Sequence, residues 1–407
     1  MIKINGTTKI AGFILFLFPI LIAITKYSNT DVTVLSLYTV LSILLFILYP
    51  KRIINKFLEQ RIVHYVFLLF ISLTVSTIIF NISFIGGTLL QLTFLFDIFV
   101  LSCFADIKST FKYFSNFTIV LSIISIIGYL FNIDFFASMK ANSNYVSIDL
   151  LIGGGISTIF EFRHYYAIFV TMSILYEFYF PQKNTLTKFS RLFILIINLL
   201  LTYTRNSWIS CIVCLLIMVA VRSRKKISIQ KNTFVLGGII LSLMIVLMII
   251  FSKQVDPIIQ NVFSRFSELF NNKSTNDFMG ARGYSLRYGT KYIFNHLKYL
   301  FLGGGNAFAL AWLKVNPYYY WNVAIDNQFV TIFMNQGIIG ILLIVRVVVE
   351  TCKYLETKNN RIQQFIALSL VSIFISMMFF EIFASMNSIL PLFLILICGL
   401  NQREFDN

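Results

Sequence analysis

The chain has 407 residues, 58% of them hydrophobic and only 12% charged, which is more apolar surface than one water-soluble core can hide. Its net charge of +16 sits mostly on alternate short connections between apolar runs, which is the pattern of membrane topology and excludes nucleic-acid binding as the reason for the charge. No series of ten-residue alternating strands is present, so an outer-membrane barrel is excluded as well.

Taken in chain order, Lys3 and Lys9 precede the run AGFILFLFPILIAIT. No small-residue cleavage site follows, so this reads as a retained first helix rather than a removed signal. Apolar runs at 10–25, 32–49, 63–80, 89–105, 117–131, 164–180, 186–204, 206–222, 234–251, 327–346, 364–380 and 387–401 predict about twelve membrane spans of roughly 20 residues each. Basic residues test the alternation. Lys51, Arg52, Lys56 and Arg61, then Lys108 and Lys112, then Lys183, Lys188 and Arg191, then Arg222 to Lys231, then Lys353, Lys358 and Arg361 fall in every second connection. The intervening short ones hold only Lys26, Lys140, Arg163 and Arg205. Because Lys and Arg concentrate on the cytoplasmic side, both termini are placed in the cytoplasm. The expected fold is all-α and polytopic, with residues 1–251 forming the first nine spans, 252–326 one large, partly helical external loop, and 327–407 the last three spans. The cysteines at 103, 211, 214, 352 and 398 lie in spans or beside basic connections, so neither disulfides nor a metal site is expected.

Chemistry-bearing residues gather at the predicted external boundaries. In LTYTRNSWIS, Arg205 marks the tip of a hairpin between two spans. It serves either as a boundary arginine that caps a helix end or contacts headgroups, or as part of a site. FEFRHYYAIF opens the sixth span with Glu161, Arg163 and His164, either an ion pair with a satisfied histidine or a proton-handling group facing the same vestibule. In the large loop, Asp256-Pro257 signals a helix start, and Arg282, Arg287, Lys291 and Lys298 lie on a periodic stretch that ends at Gly303-Gly304-Gly305. With no acid among them, these cations suit either headgroups or a phosphate-bearing ligand. Tyr318, Tyr319, Tyr320 and Trp321 form either an interfacial belt or a platform for sugar rings. Asp326, just before Asn327, reads either as a helix N-cap or as a carboxylate at a cavity mouth.

In this order and sidedness, the TRNSW tip, the Arg282-Gly283 entry to a stretch ending in GGGNAF, and DNQFVTIFMNQGIIG resemble the bacterial O-antigen polymerase and O-antigen ligase family. The resemblance spans most of the chain. It implies a cytoplasmic (inner) membrane enzyme that needs no cofactor, metal or nucleotide. Such an enzyme forms a glycosidic bond at the outer face, with an undecaprenyl-diphosphate-linked oligosaccharide as donor. On this resemblance Arg205, Arg282, Arg287 and Arg163 are candidates to hold the diphosphate, Asp326, His164 and Glu161 to act as base, and Tyr319, Tyr320, Trp321 and Asn327 to touch glycan. A chain-length regulator is a candidate protein partner. In the ligase branch a histidine commonly precedes the asparagine of the tenth span, whereas here it is Asp326, which favours a polymerase. A lipid-linked oligosaccharide flippase is the competing reading; it needs polar groups at mid-membrane, and these spans are nearly charge-free there.

Overall fold

A computed structural model of the protein describes residues 4–25, 31–131, 133, 135, 156–160, 162–180, 182, 184–224, 284–317, 325–356, 360–381, 383 and 389–400. These residues are helical almost throughout. The elements are α1 (Ile4–Thr25), α2 (Asp31–Leu48), α3 (Pro50–Glu59), α4 (Arg61–Phe80), α5 (Ile85–Ser102), α6 (Ile107–Phe131), α7 (Arg163–Tyr179), α8 (Thr185–Leu201) and α9 (Arg205–Arg224). After these come the short α10 (Thr290–Asn295) and α11 (Phe308–Val315), then α12 (Gln328–Leu355), α13 (Arg361–Met377) and α14 (Ile389–Gly399). Every expected span coincides with one of these helices except the ninth, 234–251, which lies outside the described residues together with the helix start at Asp256-Pro257. By length and composition alone, five helices among the described residues can cross a membrane, or six if α2 and α3 count as one span bent by 98°.

α14 lies at the centre, its residues all buried, with α13, α5 and α4 packed around it and α12 lying along α4 and α13. α7 joins α6, α8, α9 and α13, so the two halves of the chain share one apolar core. Three helices start on asparagine caps: Asn184 accepts from Leu186 N, Asn327 from Phe329 N and Val330 N, and Asn360 from Gln363 N.

One end of the bundle gathers the basic connections. α3, which the sequence reads as a loop, is an amphipathic helix with proline at its first position. Its Arg52 donates to the Cys103 carbonyl and its Lys56 to that of Ser102, closing the C-terminus of α5. At the same end Arg191 of α8 pairs with the fully buried Glu177 of α7 at 2.8 Å, and also reaches Ser115 and Asn116 of α6. Arg191→Ala strands that carboxylate in an apolar interior and should cost about 3–5 kcal/mol. Unfolding in mild detergent measures it, with Glu177→Gln/Arg191→Leu expected to recover most of the loss.

The opposite end is built around a broken helix. Gly337 (φ 64°) interrupts α12, and the groups this frees are taken by a neighbouring loop. Gly304 N donates to Met334 O, Gly305 N to Asn335 O, Ile338 N to Leu300 O and Ile339 N to Phe301 O. Irregular backbone at membrane depth is tolerated when protein satisfies it in this way. The triple glycine therefore does more than stop a helix: a Cβ on Gly303 would stand 2.2 Å from the Asn335 backbone, so the close approach requires glycine. The preceding stretch is also not one continuous helix. It is a π turn at Ser285–Gly289, then α10, then a 3-10 turn at Leu297–Tyr299. With α11 it packs a small core of Ile293, Ala309, Trp312 and Leu313 against Val330, Phe333 and Met334 of α12.

Candidate functional site

The expected site residues that are described lie at this second end. Glu161, Arg282, Tyr319, Tyr320 and Trp321 fall outside the described residues. α7 opens at Arg163 and α9 opens at Arg205, and these neighbouring helices run in the same direction. Two helix N-termini, each beginning with an arginine, thus point toward the same end of the bundle. The positive end of a helix dipole favours an anion and disfavours a cation, so a guanidinium there is best accommodated with a negative group beside it.

The tip that carries Arg205 is a built turn. Tyr203 takes a left-handed conformation (φ 50°) and its hydroxyl meets that of Tyr129 of α6 at 2.9 Å. The last carbonyls of α8 already have donors, because Leu199 O accepts from Trp208 Nε1 at 2.8 Å and from the Thr202 hydroxyl. Capping of α8 is thereby performed by the residues flanking Arg205, on both sides of it.

The register of α9 against α13 places Arg205 relative to the rest. Ser210 meets Ser372 at 3.3 Å and Cys214 donates to Leu368 O, so in these antiparallel helices Arg205 stands at the level of Met377, about one turn before Glu381. Phe380 stacks on His164 with ring centroids 4.3 Å apart, and Tyr165 donates its hydroxyl to the Glu381 carbonyl. The segment just beyond α13 therefore links His164 and Tyr165, at the start of α7, to Thr331 of α12.

At that mouth, capping falls to Asn327, whose Oδ1 accepts two backbone N–H groups. Asp326 is therefore not the N-cap of α12. It is held in the left-handed region at φ 54°, a conformation aspartate tolerates better than most residues and one that recurs at functional sites. Beside it stands a carboxyl group that sequence reading missed. Glu381, in the connection after α13 and only 7% exposed, accepts a 2.7 Å hydrogen bond from Thr331 and another from the Ile325 backbone. Burial, with a smaller contribution from the charge of Asp326, pushes its pKa up to about 7. Asp326 and Glu381 thus stand near one another at this mouth, and Phe380, next to Glu381, packs against His164. Arg287 is not gathered with them by these contacts. It lies exposed on the π turn, its guanidinium 5.7 Å from the Tyr288 ring.

The raised pKa of Glu381 has a stability consequence. The folded state holds the Glu381 proton more tightly than the unfolded chain does, so this stabilisation is complete below the unfolded carboxyl range and is lost as pH rises through about 7. Glu381→Gln should flatten the decline in melting temperature between pH 5 and 8, read by thermal unfolding in detergent across that range.

Residues 191–345 match the family model described as O-Antigen ligase. The matched stretch runs from α8 through the Arg205 tip to Asp326 and the broken α12. No curated protein matches the chain. This match, together with several apolar helices among the described residues, supports membership in the O-antigen polymerase and ligase family of membrane proteins.

Proposed function

We propose that the protein is a polysaccharide polymerase that joins undecaprenyl-diphosphate-linked oligosaccharide repeat units at the outer face of the bacterial cytoplasmic membrane. The observation that supports this reading is that Asp326, a carboxylate that does not cap α12, lies at the same end of the bundle as Arg163 and Arg205, which begin two helices. In the reaction, a hydroxyl of the acceptor sugar attacks the anomeric carbon of the donor. Asp326 takes the hydroxyl proton, the new C–O bond forms, and the bond to the diphosphate breaks with its electron pair leaving on the phosphate oxygen. Arg205 and Arg163, with Arg282 and Arg287 from the external segment, neutralise that charge. Asn327, its carbonyl oxygen engaged in the cap, keeps its NH₂ group to donate to a sugar hydroxyl, and Tyr319, Tyr320 and Trp321 offer stacking faces.

Asp326 in place of histidine before Asn327 supports polymerase over ligase. The description of the matched family favours a second reading, in which the glycan passes from its lipid carrier to a different acceptor. A transporter is less well supported, because four backbone groups at the break in α12 are bonded to the 300–305 loop rather than open to a cargo. Deletion followed by analysis of lipid-linked glycans tests the reading. Accumulation of single repeat units is expected; accumulation of finished chains assigns the ligase role, and unchanged glycans overturn both.

A further inference from the structure

The external segment presents a face unlike a water-soluble loop. Leu286 is 50% exposed, Phe294 59%, Leu297 70% and Phe301 64%, and all lie on the three short turns between residues 285 and 301. Interleaved with them are the exposed Lys291 and Lys298, and residues 284–317 contain no acid. The face is continuous with the lipid-facing surface of α4, where Ile78 and Ile79 are exposed and Phe80 meets Tyr299 at 5.2 Å between ring centroids.

Its depth follows from α12. It spans 28 residues across the break at Gly337, so its length is at most about 42 Å against a hydrocarbon core of ~30 Å, and at most about 12 Å overhangs in total. Part of the overhang belongs to the basic end, where Arg346 is exposed and Lys353 pairs with Glu350. The break at Gly337 lies about 14 Å along the axis from Gln328, below the level where hydrocarbon begins. Leu300 and Phe301, hydrogen-bonded to Ile338 and Ile339, lie at that level too.

We infer that residues 286–301 are embedded in the lipid leaflet at this end, with Phe294, Leu297 and Phe301 among acyl chains and Lys291 and Lys298 on the phosphates of anionic phospholipids. A lysine whose stem runs along apolar surface and whose head meets a phosphate is the usual device at such a boundary.

The test uses the full chain with Cys352→Ser, reconstituted in nanodiscs, and a spin label at Leu297→Cys, Phe301→Cys or, as a further position, Phe294→Cys. Leu297 and Phe301 are exposed, so labelling there leaves the core alone, while Phe294 is exposed on one side and meets Phe333 on the other. Greater access of oxygen than of a water-soluble nickel chelate is expected at all three, with the labels moving deeper when phosphatidylglycerol replaces phosphatidylcholine. Lys291→Gln/Lys298→Gln should abolish that lipid-dependent shift. Greater access of the nickel chelate would show a face turned to water or awaiting a protein and would overturn the inference. A shift that appears only on adding undecaprenyl diphosphate, and not with phosphatidylglycerol, would assign the face to substrate and overturn it equally.

Discussion

Asp326→Asn is expected to lower polymer formation by about 10²–10⁴-fold, the usual contribution of a positioned general base. The substitution is a clean one for this position. Asparagine enters the left-handed region as readily as aspartate, so the φ of 54° is kept, whereas alanine would add backbone strain to the loss of the carboxylate. The cap of α12 belongs to Asn327 and is untouched. Removing the charge of Asp326 also removes one cause of the raised pKa of Glu381, so Glu381 should ionise at lower pH in the variant. A pH profile of residual activity therefore separates the two acids. If polymer is near normal at matched protein level, the base is His164 or Glu161 and Asp326 serves only the turn.

The helix positions were legible because periodic runs of apolar residues are a local signal. What the sequence hid is non-local. Whether Asp326 or Asn327 caps α12 depends on a single φ angle, and both residue types are good caps, so composition could not choose between them. The break at Gly337 looks in sequence like a tolerated glycine in a span. Its meaning comes from the 300–305 loop, more than thirty residues away, which supplies the missing hydrogen bonds. Glu381 had a signal that was overlooked: it is a lone acid in the apolar stretch MMFFEIFASM, and an ionisable residue set among membrane-type sequence is a functional candidate by default. The same rule flags Asp97, buried in α5 and hydrogen-bonded to Thr39, which qualifies the expectation of nearly charge-free spans. α3 was hidden in a different way. Its Ile53, Ile54, Phe57 and Leu58 repeat at helical spacing, but its lysines and arginine made it read as a connection.

Arg205→Lys should slow polymer formation by roughly 30- to 1,000-fold, equivalent to about 2–4 kcal/mol lost from the transition state. The charge is retained, so the prediction rests on shape. A guanidinium grips two phosphate oxygens at once, while an ammonium is a compact point charge that makes no such paired contact. The contact strengthens as negative charge develops on the departing diphosphate, and only interactions that strengthen in this way raise the rate of the chemical step. The opposing account makes Arg205 a boundary residue, and it predicts almost no effect, since lysine serves lipid headgroups or a helix C-terminus nearly as well. The structure weighs against that account at two points. Arg205 begins a helix rather than ending one, and the end of α8 beside it already has Trp208 and Thr202 as donors. The deciding measurement is the polymer length distribution in cells expressing Arg205→Lys at matched membrane abundance, with Lys314→Arg as the control for a change of cation elsewhere on the same side. Full-length polymer from Arg205→Lys would remove Arg205 from the diphosphate site and leave Arg163, at the start of the neighbouring helix, as the arginine to test next.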